Sequence, residues 1–373
     1  MINSDMPKSW LASRLPCAPA WGARLTAPLL AREQPYLGAL PAIVTAALVF
    51  MALSGAVLRL FYNPADAWHS VQFIDRNVNY GWLIHTFHAT GTTMIFGAVY
   101  LALFRAIYIR SYKAPGELAW LLSIAQFMLL LLVGYLGYVM ADGAVGYWSL
   151  ANAANTASVL TGAPGGVGSW FFGGPAGPGT LARLAVFHSV LAVAIFGIVF
   201  LYSAAKNAAA PAVTRNSVGF HPYYSAQYFA AFVVFCLIFA VLAFFAPHLG
   251  ENPLNLAEGS SLLVPVVTTP PWYLLPVSTL GHACPGVTGS ILATVAVLAL
   301  LAALPWLDRS PAGKSPGFLW KLLTLVLALD IILLCLCAGA ASTIAGIGIV
   351  VFTLYFFLHF IVLIPLATAM ETN

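Results

Sequence analysis

Asn79-Tyr80-Gly81-Trp82-Leu83-Ile84-His85-Thr86-Phe87-His88-Ala89-Thr90-Gly91 opens an apolar run that continues to about residue 107. A helix needs about 20 apolar residues to cross the ~30 Å hydrocarbon core of a bilayer, and this run supplies them. Its first third carries two histidines, His85 and His88, close to one helical turn apart. Histidine inside a membrane is costly to desolvate and marks a functional position by default.

The chain around it has the same character. Of its 373 residues 61% are hydrophobic and 7% charged, whereas soluble domains carry about 25% charged residues. A soluble fold is excluded. Apolar stretches over 36–62, 82–107, 115–140, 181–204, 224–246, 286–306, 317–340 and 343–367 predict an all-α integral membrane protein of eight transmembrane helices. Two long Gly/Pro-rich segments, 141–180 and 247–285, lie between the third and fourth and between the fifth and sixth. With both termini cytoplasmic, the inner segments hold Lys8, Arg14, Arg24, Arg32, Arg105, Arg110, Lys113, Lys206, Arg215, Arg309, Lys314 and Lys321. Only Arg59, Arg76 and Arg183 fall on the other side. That bias orients the chain with both long segments on the outer, periplasmic face of a bacterial inner membrane. Residues 1–35, mixed and Arg-containing, read as a cytoplasmic surface segment without a compact signal-peptide pattern. A net charge of +4 with no basic run argues against a nucleic-acid partner. Of Cys17, Cys236, Cys284, Cys335 and Cys337 most sit in apolar helices as small hydrophobes, and no Cys-x-x-Cys-His run suggests covalent haem.

The fourth predicted helix holds His188, also near its outer end. The second and fourth helices both descend from the outer side, so His88 and His188 lie at similar depth. Two facing imidazoles can ligate one haem iron from both sides. A hydrogen-bonded pair of core histidines is the other reading, and spacing alone does not separate the two.

Motifs along the whole chain resemble the cytochrome b of respiratory cytochrome bc complexes. The stretch from Asn79 through Tyr112, with Ser111-Tyr112-Lys113-Ala114-Pro115, looks like that family's second helix. Gly137-Tyr138-Val139 through Tyr147-Trp148 looks like the end of the third. Thr180-Leu181-Ala182-Arg183 leading to Phe187-His188 looks like the start of the fourth. His221-Pro222-Tyr223-Tyr224, Pro270-Pro271-Trp272-Tyr273 and Pro305-Trp306-Leu307-Asp308 follow in the family's order. The resemblance implies a haem-binding four-helix bundle over 36–222 and a C-terminal four-helix region over 223–373. It also implies b-type haem and a place among other subunits of a membrane redox complex.

The departures from the family are ordered. Its second and fourth helices each carry two haem-ligand histidines fourteen residues apart, which is about 21 Å along a helix, giving one haem near each membrane face. Here the outer members are His88 and His188, while fourteen residues on stand Ala102 and Tyr202. Family glycines on the first and third helices, where backbone must approach a porphyrin, read Gly55 and Gly137 at the outer level. At the inner level they read Pro41 and Ser123. Four inner positions are changed and four outer ones intact, so the expectation is one b-type haem, bound by His88 and His188, and no second haem. Tyr202 is read as packing rather than as a tyrosinate ligand, since Ala102 offers nothing opposite.

Both quinone sites implied by the resemblance are altered. Pro271 replaces the glutamate of Pro-Glu-Trp-Tyr and cannot take a proton, and the family's Pro-Trp-Gly reads Ala141-Asp142-Gly143. At the inner site a histidine and a Lys-Asp pair read Asn207, Gln227 and Tyr228. Asp142 is a substitute proton acceptor or, more simply, a solvated loop acid. Arg183 is the expected partner of a haem propionate. His85, standing where the family has an arginine, shares that role or caps its helix. His282 and Cys284 are two potential ligands without others and read as loop; Asp330 reads as a buried acid, and Cys335 and Cys337 as core. Function then divides three ways. The first is an electron-transfer subunit with one outer haem, facing a periplasmic cytochrome or dehydrogenase, surrounded by lipid, with quinone as a possible partner and no catalysis alone. The second is a structural or assembly subunit. The third is a conventional quinol–cytochrome c reductase cytochrome b.

Overall fold

The computed structural model describes residues 29–31, 36–161, 177–208, 217–262, 264, 269–282, 284–338, 340 and 342–371. Most of the N-terminal segment 1–35, Cys17 and the middle of the 141–180 segment lie outside the described residues, as does the side chain of Asn207.

The helices are α1 (Leu40–Arg59), α2 (Ala67–Asn77), α3 (Gly81–Tyr108), α4 (Glu117–Met140), α5 (Ala144–Thr161), α6 (Pro178–Ala208), α7 (Ser225–Phe245), α8 (Leu275–His282), α9 (Gly286–Leu307), α10 (Phe318–Ala338), α11 (Thr343–Leu358) and α12 (Ile364–Ala369). A π turn over His359–Leu363 joins α11 to α12 without a break in direction. Eight spans are long and apolar enough to cross a membrane, and they coincide with the eight stretches expected from sequence. Beside them stand two three-residue strands, Leu29–Ala31 (β1) and Ser217–Gly219 (β2), paired antiparallel with Leu30 opposite Val218.

The connections are more structured than their composition suggested. The segment 141–180 contains α5, and 247–285 contains α8 and a short 3-10 turn over Pro253–Leu256. Between α1 and α3 lies α2, which the hydropathy reading passed over because it is amphipathic. Ala67, Ser70 and Ile74 make a buried stripe at helical spacing, with Asp66, His69, Asp75 and Arg76 nearby. Gly81 begins α3 against it, and a Cβ there would lie 2.0 Å from the Ile74 carbonyl oxygen. We call the end of the molecule carrying α2, α5 and α8 the loop end, and the other, where α3 turns into α4 and α9 into α10, the basic end.

One core fills the bundle of α1, α3, α4 and α6 through Val44, Leu48, Ile95, Phe96, Phe127 and Ile195. A second joins α3 and α4 to the C-terminal helices through Trp120, Ile124, Val297, Trp320, Leu327 and Phe360. Outward residues such as Leu237 and Phe229 on α7 are exposed and apolar, as lipid-facing surface must be. The basic end is closed by a buried ion network. Arg110 Nη1 donates to Glu371 Oε2 at 2.6 Å and its Nε stands 3.3 Å from Asp308 Oδ2. Tyr112 donates to the same Asp308 oxygen at 2.7 Å, Ser310 Oγ to Oδ1 at 2.6 Å, and Lys113 Nζ to the Asp308 carbonyl at 2.6 Å. The guanidinium also lies 4.3 Å from the Trp320 ring. Two motifs quoted above, Ser111-Tyr112-Lys113 and Pro305-Trp306-Leu307-Asp308, are thus the two halves of one clamp. Deleting one partner of such a buried pair costs about 3–5 kcal/mol.

Candidate functional site

His88 projects from the second turn of α3 and His188 from the third turn of α6, both toward the loop end. Their ring centroids are 6.4 Å apart and the rings are inclined at 67°. Helix α1 supplies the hydrogen-bond partner of one ring and α4 that of the other. His188 Nδ1 lies 3.0 Å from the Val133 carbonyl oxygen, which only accepts, so Nδ1 carries the proton and Nε2 is bare. His88 Nδ1 lies 2.9 Å from Ser54 Oγ, whose own proton goes to the Met51 carbonyl at 3.1 Å. That hydroxyl is therefore the acceptor, and His88 too keeps its proton on Nδ1. These partners fix each imidazole in the tautomer that ligates a metal through Nε2.

The separation tests whether a haem iron fits between them. Metal–imidazole nitrogen bonds run about 2.0–2.1 Å for a first-row ion, so two in line, with the two ring radii added, span roughly 6–6.5 Å. A direct hydrogen bond between the two rings would leave no reason for both Nδ1 protons to be held elsewhere. The glycines add a second test. A Cβ on Gly55 would stand 2.9 Å from His88 Cε1, and one on Gly137 would stand 3.0 Å from His188 Cε1. The sequence reading put these glycines where backbone nears a porphyrin; in the structure each also leaves room for the edge of one imidazole. The residues fit a bis-imidazole group.

The other expected residues sit differently. His85 Nδ1 pairs with Asp75 Oδ1 of α2 at 2.8 Å, so its role as a helix cap is replaced by a tie between α3 and the amphipathic helix. Arg183 is exposed in the second turn of α6 and makes no salt bridge among the described residues. His282 closes α8 with Nδ1 on the Ser278 carbonyl at 2.6 Å, and Cys284 follows as a free, half-buried thiol. Asp330 is 4% exposed with Oδ2 lacking a hydrogen-bond partner among the described residues.

Near the basic end the bundle has a different lining. Ala102 packs partly buried on the first core. Ser123 Oγ is turned back on the Ala119 carbonyl at 2.8 Å, and Pro41 offers its own carbonyl to Thr45 at 2.9 Å. Tyr202 is half-buried, within electrostatic reach of Arg105 and Tyr228.

Sequence reasoning missed Ser54, although its place beside Gly55 on a buried helix face was the available signal. It also missed the way the loop end folds over α4. Ala144 N donates to the Ala257 carbonyl and Gly259 N to the Asp142 carbonyl, each at 2.8 Å. Trp272 N donates to the Gly250 carbonyl at 3.3 Å. Gly250, at φ +80°, is required there, since a Cβ would meet the Trp272 ring at 2.4 Å. This fold-over brings Glu258 beside Asp142, and burial together with that neighbour raises the Asp142 carboxyl to about 6.

An eight-span helical membrane protein with two tautomer-locked imidazoles inside its first four spans defines the class. The sequence matches the family model described as Cytochrome b/b6/petB over residues 34–206, and that described as Cytochrome b(C-terminal)/b6/petD over 258–360. It is 33% identical over 345 residues to the cytochrome b of Rickettsia bellii, covering 89% of this chain and 86% of the relative. To that of Rhodospirillum rubrum it is 29% identical, covering 96% and 91%. A chain of the solved "Hyperthermophilic respiratory Complex III" superposes with a TM-score of 0.88 at 22% identity, over 98% of this chain and 99% of that one. The chain belongs to the cytochrome b family.

Proposed function

We propose that the protein is an electron-transfer subunit of a bc-type respiratory complex holding a single b haem at the loop end, between His88 and His188. The observation that carries the reading is the sorting by depth. At one level two imidazoles, two glycines and two Nδ1 acceptors agree, and at the other Ala102, Tyr202, Pro41 and Ser123 provide none of these. A bound haem supplies one-electron chemistry at that level. The chain's own part is to present two neutral imidazoles, to hold their protons on Ser54 and Val133, and to keep Gly55 and Gly137 clear. Arg183 and His85 stand on the loop-end side of the pair as candidates for the haem carboxylates, His85 with its Nδ1 already paired with Asp75.

One redox centre does not carry an electron across a membrane, since the second stepping-stone would lie about 21 Å further along the helices. Donor and acceptor therefore come from other subunits, with a periplasmic cytochrome or a dehydrogenase as the fitting class on the loop end. The Lys/Arg bias supports a bacterial inner membrane with both termini cytoplasmic. Reduced-minus-oxidised spectra with pyridine haemochrome counting test the reading. One haem per chain is expected, and two would overturn it.

A second reading, a conventional quinol–cytochrome c reductase cytochrome b, is favoured by one observation. Pro271 cannot accept a proton, but the nearby loop end holds Asp142 with its carboxyl raised to about 6, in the range useful to a general base near neutral pH. Inhibitor-sensitive quinol turnover in the purified complex that disappears on Asp142→Asn would establish that reading. No turnover is expected from the chain alone.

A further inference from the structure

The C-terminal helices bury one carboxyl without a partner. Asp330 lies on α10 about 18 Å from the helix's basic end and about 12 Å from its loop end, at 1.5 Å per residue. Its side chain is shut off from the surface and its Oδ2 has no hydrogen-bond partner among the described residues. No Lys, Arg or His there forms a salt bridge with it. An acid this deep in a span is a functional position by default.

Helix register shows what stands opposite. Helices α10 and α11 pack together and run antiparallel, and a Cβ on Gly348 would stand 2.6 Å from Cys337 Sγ, which marks a close approach. Asp330 is two turns from Cys337 toward the basic end, and Tyr355 is two turns from Gly348 in the same direction. Both therefore keep the facing side of their helix, and Asp330 lies across from Tyr355. The two are within electrostatic reach of each other. One further turn toward the basic end, His359 Nδ1 lies 3.2 Å from the Tyr355 hydroxyl. His359 is 1% exposed and opens the π turn His359–Leu363, and single π turns inside long helices concentrate at functional sites.

The surrounding elements bring no competing charge. Besides α11, helix α10 packs on α3, α8 and α12. Tyr100 of α3 donates to the Tyr273 carbonyl at 2.8 Å, and His282 of α8 is bonded to the Ser278 carbonyl. His85 and His88 lie toward the loop end of α3, and Arg105 and Tyr108 in its last turn at the basic end. Helix α12 and helix α9, which packs on the π turn, carry no titratable side chain. On α10 itself stand Lys321 in the first turn and the thiols Cys335 and Cys337. Among the described residues no set of three His, Cys, Asp or Glu could hold a metal ion. An unpaired carboxylate in an apolar interior costs far more than the neutral acid, so the ligand that suits this place is a proton.

We propose that Asp330, Tyr355 and His359 form an intramembrane proton site, loaded at Asp330 and exchanging with the basic end through Tyr355 and His359. In the loaded state Asp330 is the neutral acid and Tyr355 donates to a bare His359 Nδ1. The carboxyl proton passes to Tyr355 Oη, directly or through one water, as the phenol's own proton passes to His359 Nδ1. A carboxylate, an intact phenol and an imidazolium result. Loss of the imidazolium Nε2 proton toward the basic end empties the site, and the reverse steps reload it. The site lies in the C-terminal helices, apart from the His88–His188 level of the first bundle.

The test is infrared spectroscopy of the full chain in lipid nanodiscs near neutral pH. Wild type should show the C=O band of a protonated carboxylic acid, and Asp330→Asn should remove it. Transfer into heavy water shifts that band, and the rate of the shift reads the exchange path. Tyr355→Phe and His359→Phe should each slow it about tenfold or more. Thr353→Val, a buried change on another side of α11, should leave the rate as it is. Thermal melting of every variant controls for folding, and the two ring variants carry the test through wild type's own band if Asp330→Asn is unstable. Absence of the band in wild type, or its survival in Asp330→Asn, would overturn the proposal. So would an exchange rate untouched by both Tyr355→Phe and His359→Phe, which would leave Asp330 a buried acid with no relay.

Discussion

The two levels of the first helical bundle are built from the same four helices and lined in opposite ways. Toward the loop end, α3 and α6 face each other with imidazoles while α1 and α4 hold the ring protons and step back as glycine. Fourteen residues along, the same helices present Ala102, Tyr202, Pro41 and Ser123; the polar atoms of Pro41 and Ser123 are satisfied within their own helices, and Tyr202 lies within electrostatic reach of Arg105. The difference teaches that a ligand site in a membrane bundle is a property of all four helices at one depth. Ligand, proton acceptor and clearance are present together or absent together.

The sharpest way to break the contrast is to remove a ligand. His88→Ala or His188→Ala should abolish the low-spin haem spectrum, whereas Tyr202→Phe should leave it unchanged. A spectrum that persists in both histidine variants would move the haem elsewhere. Next comes clearance. Gly55→Ala or Gly137→Ala drives a methyl to about 3 Å from an imidazole carbon, and overpacking of this kind costs about 1–3 kcal/mol. Haem affinity should fall roughly 10- to 100-fold, measured by haem transfer to an apo-globin acceptor, while Ser123→Ala, at the equivalent basic-end position, should stay within about 0.5 kcal/mol of wild type.

How much of this could be read from sequence depended on the kind of signal. The eight spans follow from hydropathy because a lipid-facing helix has to be apolar nearly all round. The paired depth of His88 and His188 follows from helix rise alone. By contrast α2 escaped, since its buried stripe of Ala67, Ser70 and Ile74 is separated by charges that lower its mean hydropathy. The His85–Asp75 tie escaped with it. Ser54 and the Val133 carbonyl escaped because second partners of a ligand are chosen by geometry, and a backbone carbonyl carries no residue signature. The Asp142–Glu258 pairing depends on how a loop more than 100 residues downstream folds back, which no local pattern encodes.

Smaller effects refine the picture. Ser54→Ala removes the acceptor that holds the His88 Nδ1 proton, and second partners of metal ligands are worth about 10- to 100-fold in affinity. The lower figure is expected, with a shifted reduction midpoint, because the ring stays wedged by α1. Val133, whose acceptor is backbone, should tolerate Val133→Ala far better. Smallest is the pH response of the loop end. The Asp142 carboxyl is raised in the folded state to about 6 by burial and Glu258, against about 3.9 unfolded. Between these values the folded protein binds the extra proton, so stability falls as pH rises from about 4 to about 6 and then levels off. Thermal melting of wild type should show that decline and Asp142→Asn should flatten it. An unchanged slope in the variant would assign the response to another group.

The clamp at the basic end has a consequence for synthesis. Arg110 and Glu371 are 261 residues apart in the chain, so at about 5–20 residues per second the ribosome needs roughly 10–50 s to deliver the second after the first. Until Asp308 emerges the guanidinium has neither carboxylate of the clamp, and until Glu371 emerges it has only one. It must therefore wait at the membrane surface, in contact with water or lipid headgroups, while four further spans are inserted. Burial of Arg110 beneath Trp320 is then a late event, and the seal between the first bundle and the C-terminal helices closes only once nearly the whole chain has emerged.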